Sequence, residues 1–352
     1  MGKNNIIIAT DSFKGSLSSL EVAKTIKEGL MEQGCNHEIL TYGISDGGEG
    51  FAEIVTQALG GKMIEVDCHD ALKRPIRAYY GITNDNCAIM DVASTIGISH
   101  LRPIEHNPWT ATSFGVGEMI HHIINKGIRK IIIGLGGSAT NDCGRGMLEA
   151  LIHLEGLDDC EFTIATDVIN PLCGPNGATY MFASQKGASP AILPRLEQRN
   201  REFGQMLELK TGRSIIDQSG SGAAGGIGAA LMTMKHYKMV KGINLLLDLY
   251  NFKSLLADAA LVITGEGKID LQTLQGKAPY GIALMAKEMG VPCIAICGQI
   301  SEEVRRAEGT GIQREMPWAK IIQVSPPDQL LSESMRPDVA RENIRNCIGQ
   351  LL

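Results

Sequence analysis

Short apolar runs without polar alternation recur along the chain, at residues 6–9, 131–135, 261–264 and 294–297. Such runs predict strands that are buried on both faces, as in parallel sheets. Each run is followed by a Gly-rich or polar loop and then by a helical pattern. After the first run, Ser18 or Ser19 begins a helix whose apolar face is marked by Leu20, Ala23, Ile26 and Leu30. Repeated strand, loop and helix predict an α/β fold.

The section of chain after the first two strands follows a different pattern. Apolar segments at residues 64–66, 76–81 and 88–92 are separated by short turns. This spacing predicts adjacent strands in a mixed or antiparallel section of sheet. We find no internal repeat and no low-complexity linker, so composition does not locate a domain boundary.

Length and charge narrow the class of protein. The 352 residues suggest about two domains, and a hydrophobic content of 44% supports a large core. The net charge of −6 argues against nucleic acid or a membrane surface as the main partner. The nine cysteines include no CxxC pair, and no apolar run approaches membrane-spanning length. We therefore expect a soluble, cytoplasmic protein with reduced thiols and small-molecule substrates.

Glycine is in excess, at 41 residues, and it concentrates in polar loops after predicted strands. These loops are DSFKGSLS at 11–18, SDGGEG at 45–50, GLGGSATND at 134–142, TDVINP at 166–171, QKG at 185–187 and GEGKIDLQTLQGKAP at 265–279. In α/β proteins, ligands bind at the carboxyl ends of strands, where such loops present backbone amides. The loops therefore predict a ligand site.

The residue types in these loops favour phosphoryl transfer. Glycine lets backbone amides approach phosphate oxygens, and lysines neutralise the charge on the transferred group. Carboxylates beside phosphate make sense if they hold Mg²⁺ or accept a proton from the attacking hydroxyl. Asp46, Glu49, Asp167 and Asp270 are candidates for both roles, and their order in sequence does not distribute the roles among them.

From these loops we predict a site for phosphoryl transfer that uses Mg²⁺. The predicted catalytic residues are Lys14, Asp142, Asp167, Asp270 and Lys277. The predicted substrate- or phosphate-binding residues are Asp11, Ser12, Gly136, Gly137, Ser138, Asn141, Asn170, Gln185, Lys186, Gly265 and Gly267. The predicted metal ligands are Asp46, Glu49 and Glu266.

Two segments also fit the dinucleotide-binding pattern GxGxxG/A, at residues 134–139 and 220–225. The first continues as TNDCG where a helix should already run, and the second is almost entirely small residues. An oxidoreductase therefore remains an alternative, as does a non-catalytic regulator that binds metabolites. No Walker A sequence, GxxxxGK[ST], occurs, which excludes a P-loop kinase.

Together these motifs resemble the type-one bacterial glycerate kinase family. The resemblance covers most of residues 4–300, and its most distinctive parts are GLGGSATNDCGRGML at 134–148 and TGEGKIDLQTLQGKAP at 264–279. It implies ATP-dependent phosphorylation of D-glycerate, usually at the 2-hydroxyl, with Mg²⁺. It also implies a discontinuous Rossmann-like domain, expected at 1–66 and 288–352, with a second α/β domain inserted at 67–287.

One departure from the family concerns the acceptor. The stretch between the predicted helix at 147–154 and the strand at 162 is shorter than in relatives. If the longer segment shapes the acceptor pocket, this chain prefers a different small hydroxy or sugar acid. A kinase for such an acid is therefore the alternative to a glycerate kinase.

Overall fold

The chain folds into two units, which the computed structural model describes at residues 4–45, 47–271, 273–307 and 316–351. Unit 1 comprises Met1–Ser45 and Leu246–Leu352, and unit 2 comprises Asp46–Leu245. Unit 1 is thus discontinuous, with unit 2 inserted into its sequence.

The described strands are β1 (Asn5–Thr10), β2 (Glu38–Gly43), β3 (Lys62–His69), β4 (Pro75–Ile82), β5 (Cys87–Asp91), β6 (Lys130–Gly134), β7 (Glu161–Ala165), β8 (His236–Val240), β9 (Ala259–Ile269), β10 (Cys293–Ile300) and β11 (Lys320–Gln323). The described helices are α1 (Ser19–Glu32), α2 (Phe51–Ala58), α3 (Ala93–Ile96), α4 (Phe114–Asn125), α5 (Arg145–Ala150), α6 (Ala178–Phe182), α7 (Leu193–Thr211), α8 (Ala223–Leu231), α9 (Gly242–Leu249), α10 (Phe252–Ala257), α11 (Ala278–Glu288), α12 (Glu302–Ala307), α13 (Leu331–Ser334) and α14 (Pro337–Cys347).

The sheet of unit 1 is parallel and Rossmann-like, with the strand order β11-β10-β9-β1-β2. From β1 the chain continues to β2 on one side, and from β9 it continues to β10 and β11 on the other. The strand order therefore reverses between β1 and β9. Ile8 pairs in register with Ile263 and is fully buried, as the unbroken apolar run predicts.

Helix α1 confirms the prediction made from its apolar face. Ser18 is the N-cap, and it forms a capping box with Glu21, whose side chain accepts from the Ser18 amide at 2.9 Å. Ile26 and Leu30 are fully buried in the core of unit 1. The helix therefore begins where the sequence signal places it.

The sheet of unit 2 has the order β3-β4-β5-β6-β7-β8. Strands β3, β4 and β5 are antiparallel, which confirms the mixed section predicted from the short turns. Strands β5 to β8 are parallel, so their carboxyl ends share one edge of the sheet. Phe162 and Ile133 are buried in the core that α4 covers.

The chain passes between the two units at other positions than the domain boundaries expected near residues 66 and 288. Residue 66 lies inside β3, and every residue of β3 pairs with β4 in the sheet of unit 2. Strand β9 pairs with β1 and β10, which places residues 259–269 in unit 1. The units divide at 45/46 and 245/246 because strand pairing, which a local pattern does not reveal, decides the membership of each segment.

No helix among the described residues combines the length and the apolar composition that a membrane crossing requires.

Candidate active site

The carboxyl ends of β1 and β9 lie side by side where the strand order of unit 1 reverses. Open α/β sheets bind ligands outside the carboxyl ends of their strands, at such a point of reversal. The Asp11 amide donates to the Gly265 carbonyl at 2.8 Å and so joins the two loops. A Cβ on Gly265 would lie 2.2 Å from the carbonyl oxygen of Ile296, which explains the glycine.

A cluster of charged side chains occupies the loop after β9. The Lys277 Nζ lies 3.7 Å from an oxygen of Glu266 and 3.8 Å from an oxygen of Asp270. The Thr273 hydroxyl donates to Glu266 at 2.6 Å, and the Thr273 amide donates to Asp270 at 3.2 Å. The structure thus brings together three residues that the sequence predicted, and Thr273 fixes both carboxylates.

The carboxylates of Glu266 and Asp270 differ in their exposure to solvent. Glu266 is 8% exposed, and burial raises its pKa, while the Lys277 ammonium and the Thr273 hydroxyl act in the opposite direction. The side chains of Asp270 and Lys277 are more accessible, at 29% and 27%. A ligand can therefore reach Asp270 and Lys277, whereas Glu266 is buried and forms an ion pair with Lys277.

The other predicted residues of unit 1 lie in the two loops at this edge. The Ser12 amide donates to the Asp11 carboxylate at 2.6 Å. Lys14 is exposed, and its charge acts on Glu266 by lowering that carboxyl's pKa against the effect of burial. A Cβ on Gly267 would lie 3.3 Å from the Lys14 amide nitrogen, so the loops approach closely here.

In unit 2, the predicted loop at 134–142 follows β6 at the shared carboxyl edge of the parallel strands. The Gly136 amide donates to the Gly47 carbonyl at 2.8 Å, and a Cβ on Gly136 would lie 2.3 Å from the Gly48 Cα. The Ile98 amide donates to the Gly137 carbonyl at 2.9 Å. The glycines of GLGGS and SDGGEG therefore serve close packing of two loops against each other.

Asp142 is held by hydrogen bonds from its own unit. Its carboxylate accepts from the amide and the hydroxyl of Ser113, both at 2.8 Å. It also accepts from the amides of Gly144 and Gly146, at 3.1 and 3.2 Å. With four donors on its two oxygens, Asp142 orients the loop and the starts of α4 and α5.

Lys186 is buried beneath the same loop, with 6% exposure. Its Nζ donates to the Ser138 hydroxyl at 2.9 Å and to the Thr140 carbonyl at 2.7 Å. Burial lowers the pKa of the Lys186 ammonium to about 7, and the charge of Asp142 acts in the opposite direction. The Asn141 side chain donates to the Thr179 hydroxyl at 3.2 Å.

The remaining predicted residues are more scattered. The Asp167 carboxylate, after β7, accepts from the Gly242 amide at 3.0 Å. Asn170 donates to the Asn176 carbonyl at 2.7 Å, which makes it part of a turn, and Gln185 is exposed. Glu49 is exposed and accepts from the Ser99 hydroxyl at 3.3 Å. Asp46, also predicted as a metal ligand, lies outside the described residues.

Two residues of this neighbourhood were not predicted. Asp91, at the end of β5, is 3% exposed and accepts from the amides of Ala52 and Ser94 at 2.9 and 2.8 Å. Burial raises its pKa to about 6. Arg199, on α7, donates to the Asn141 carbonyl at 2.9 Å. Asp91 carried a signal, since it ends a predicted strand, whereas Arg199 is one of several charged residues in a polar helix.

The small-residue segment at 220–228 packs against residues 140–143, at the end of the loop at 134–142. The Cys143 amide donates to the Gly225 carbonyl at 3.0 Å. A Cβ on Gly225 would lie 2.0 Å from the Thr140 carbonyl oxygen, and one on Gly226 would lie 2.6 Å from the Cys143 Cα. This segment is therefore explained by tight packing within unit 2.

The predicted magnesium ion needs a suitable set of oxygen ligands. Among the residues that the structure describes, no three His, Cys, Asp or Glu side chains form a group that could hold a metal. Mg²⁺ needs only one or two carboxylates, because phosphate oxygens and water complete its shell. Glu266 and Asp270, which flank the same ammonium of Lys277, fit this requirement.

Comparisons with known proteins agree on one family. The sequence model of the glycerate kinase family matches residues 6–154 and 152–346. The chain is 39% identical to the glycerate kinase of Bacillus subtilis (strain 168), over 87% of this chain and 88% of that protein. It is 35% identical to the glycerate 2-kinase of Escherichia coli (strain K12), with the same two coverages.

A solved structure matches over nearly the whole chain. It is the crystal structure of a Salmonella typhimurium LT2 protein described as a glycerate kinase 2. The two chains are 33% identical and superpose with a TM-score of 0.78, over 99% of this chain and 98% of the other. The chain therefore belongs to the glycerate kinase family, and it is a phosphotransferase that acts on an alcohol group.

Proposed function

We propose that the protein transfers the γ-phosphoryl group of ATP to the 2-hydroxyl of D-glycerate, which yields ADP and 2-phosphoglycerate. The observation that carries the proposal is the cluster of Lys277, Glu266 and Asp270 at the reversal point of the unit 1 sheet. Family membership and the printed name of the Escherichia coli relative, glycerate 2-kinase, support the acceptor and the position. With ATP as donor, we place the reaction in the cytoplasm.

In this proposal, the cluster of unit 1 binds the phosphates of ATP. The Lys277 ammonium offsets negative charge on the transferred group, which grows in importance as the transition state forms. Glu266 and Asp270 would hold Mg²⁺, which when bound neutralises phosphate charge. Glu266 also keeps Lys277 in place, since the two side chains form an ion pair in a largely buried position.

The loop at 134–142 in unit 2 binds the acid in this proposal. Asp142 accepts four hydrogen bonds from its own unit, so its role in this proposal is to orient the loop. Asp167 follows the neighbouring strand β7, and its Oδ1 accepts from the Gly242 amide. We assign Asp167 as the carboxylate that takes the proton of the attacking hydroxyl, a role that typically contributes 10²–10⁴-fold to rate.

The proposal is tested by following ADP release from Mg-ATP with a panel of small hydroxy and sugar acids. We expect D-glycerate to give the highest kcat/KM of the panel, and we expect EDTA to stop the reaction. A higher kcat/KM for another acid would refute the acceptor, and turnover that persists in EDTA would refute the role of Mg²⁺. Absence of ADP release with every acid would refute the proposed function.

A further inference from the structure

Two cations of unit 2 hold successive peptide carbonyls of the loop at 134–142. The Lys186 Nζ donates to the Thr140 carbonyl at 2.7 Å, and the Arg199 Nη2 donates to the Asn141 carbonyl at 2.9 Å. Arg199 is itself fixed, because its Nη1 and Nη2 donate to the carbonyls of Trp109 and Pro108 at 2.8 and 3.1 Å. The carbonyls of Thr140 and Asn141 are therefore held in place by Lys186 and Arg199.

The orientation of these carbonyls determines where the following amides point. A trans peptide is planar, so the N–H of one residue points opposite to the carbonyl of the residue before it. Because the Thr140 carbonyl is directed at Lys186, the Asn141 amide is directed away from Lys186. Because the Asn141 carbonyl is directed at Arg199, the Asp142 amide is directed away from Arg199.

The amides of Asn141 and Asp142 are available to a ligand. Within the described ranges, neither the Asn141 amide nor the Asp142 amide donates to a protein acceptor. Asn141 is only 1% exposed, and a buried N–H without an acceptor is rare in folded proteins because it costs free energy. The Thr140 hydroxyl is also buried, and it has no hydrogen-bond partner among the described residues. Three donors without acceptors favour an anionic oxygen ligand.

We propose that Lys186 and Arg199 are positioning residues that fix the amides of Asn141 and Asp142 to receive the carboxylate of the acceptor acid. This inference rests on the proposed function and assigns the part of the acid that the loop recognises. A carboxylate fits because its oxygens accept several hydrogen bonds in one plane. The two cations act through the loop and do not touch the acid.

Arg195 offers a matched control for Arg199. Both guanidinium groups stack on the Trp109 ring, at 4.8 Å for Arg195 and 4.6 Å for Arg199. Arg199 also donates to the Asn141 carbonyl. Arg195→Met thus removes the same charge and the same kind of ring contact, and it leaves the loop untouched.

The first experiment is steady-state kinetics of the full chain with Mg-ATP and D-glycerate. We expect Arg199→Met and Lys186→Met each to raise the KM for D-glycerate by about tenfold or more, because a hydrogen bond to a charged group is lost. The KM for ATP should stay within about twofold, and Arg195→Met should resemble the wild type. Arg199→Lys, which keeps one charged donor, should show an intermediate KM.

Two kinetic outcomes would overturn the inference. One is an equal rise in the KM for ATP and for D-glycerate, and the other is the same change in Arg195→Met. If circular dichroism shows that Arg199→Met is unfolded, the comparison of Arg199→Lys with Arg195→Met decides instead.

A binding measurement separates this inference from the proposed function. Isothermal titration calorimetry with D-glycerate alone should show binding to the wild type and about tenfold weaker binding to Arg199→Met. Equal affinity, or no binding to the wild type, overturns the role of the loop. Intact wild-type binding without ATP turnover would instead refute the proposed kinase activity and leave the loop assignment supported.

Discussion

Lys277 and Lys268 belong to the same polar segment after β9, yet their surroundings differ. Lys277 has the carboxylates of Glu266 and Asp270 within 3.8 Å. Lys268 is exposed on β9, in register with Gln299 of β10. At the scale of the residue, this contrast distinguishes a group that can act on phosphate from a surface charge.

We expect Lys277→Ala to lower kcat by about 10²–10³, because a contact that stabilises transition-state charge is lost. Lys268→Ala serves as the control and should leave kcat within about twofold, as for a surface substitution. Initial rates of ADP release measure both values, and thermal unfolding verifies that the variants are folded. Near-wild-type turnover in Lys277→Ala would show that the cluster is not part of the active site.

Asp91 allows a test of electrostatics that does not depend on activity. Burial raises the pKa of its carboxyl to about 6, with a further contribution from the charge of Glu49. The ordinary value for Asp is about 3.9. Between these two values, the folded state binds more protons at this site than the unfolded state does. The contribution of Asp91 to stability therefore falls as pH rises from about 4 to about 6.

Asp91→Asn removes this titration. We expect the free energy of unfolding of the variant to rise relative to that of the wild type as pH increases from about 4 to 6, and to level off above that range. Urea denaturation at several pH values measures the difference. A difference that is constant over this range would show that the pKa of Asp91 is not raised.

At the scale of the element, the segment at 220–228 packs against the loop at 134–142. Gly225 and Gly212 have the same φ of 67°, a left-handed conformation that costs a residue with a side chain about 1–2 kcal/mol. A Cβ on Gly212 would meet nothing within 4 Å, whereas one on Gly225 would lie 2.0 Å from the Thr140 carbonyl oxygen. A comparison of Gly212→Ala with Gly225→Ala therefore separates the free-energy cost of the left-handed backbone from the steric effect on the loop at 134–142.

Gly212→Ala should destabilise the protein by about 1–2 kcal/mol and leave the KM for D-glycerate unchanged. Gly225→Ala should destabilise it more and raise that KM, because the Thr140 peptide must move. Thermal unfolding and steady-state kinetics provide the two measurements. An unchanged KM in a folded Gly225→Ala variant would contradict the supporting role of the segment.

The elements with local signals were predictable from sequence, and the contacts between distant segments were not. Unbroken apolar runs located β1, β6, β9 and β10, and the pair Ser18 and Ser19 located the start of α1. The predicted polar loops include Lys277, Glu266 and Asp270 in unit 1 and the 134–142 loop and Lys186 in unit 2. By contrast, Arg199 contacts carbonyls that are 58 to 91 positions away, and no local pattern specifies such partners.

The boundary between the units has the same physical origin. Whether a strand belongs to one sheet or another depends on the partners it finds, and the local sequences of β3 and β9 do not specify those partners. Sequence periodicity therefore predicted the class of fold, the resemblance to the family implied a discontinuous order, and strand pairing set the division at 45/46 and 245/246.

At the scale of the whole molecule, the net charge of −6 is unfavourable for binding two anions, ATP and an acid. Local cations offset it in each unit. Lys277 and Lys14 lie by the unit 1 cluster, and Lys186 and Arg199 lie beneath the unit 2 loop. We thus propose that unit 1 recognises the phosphates and that unit 2 recognises the acid.

We propose that the protein makes 2-phosphoglycerate from D-glycerate and ATP. The most direct measurement couples the reaction to enolase without phosphoglycerate mutase, because enolase converts only the 2-phosphate to phosphoenolpyruvate. We predict formation of phosphoenolpyruvate at the rate of ADP release, with D-glycerate, ATP and Mg²⁺ all required. ADP release without phosphoenolpyruvate, followed by its appearance only when mutase is added, would mean that the 3-hydroxyl is phosphorylated and would contradict the claim.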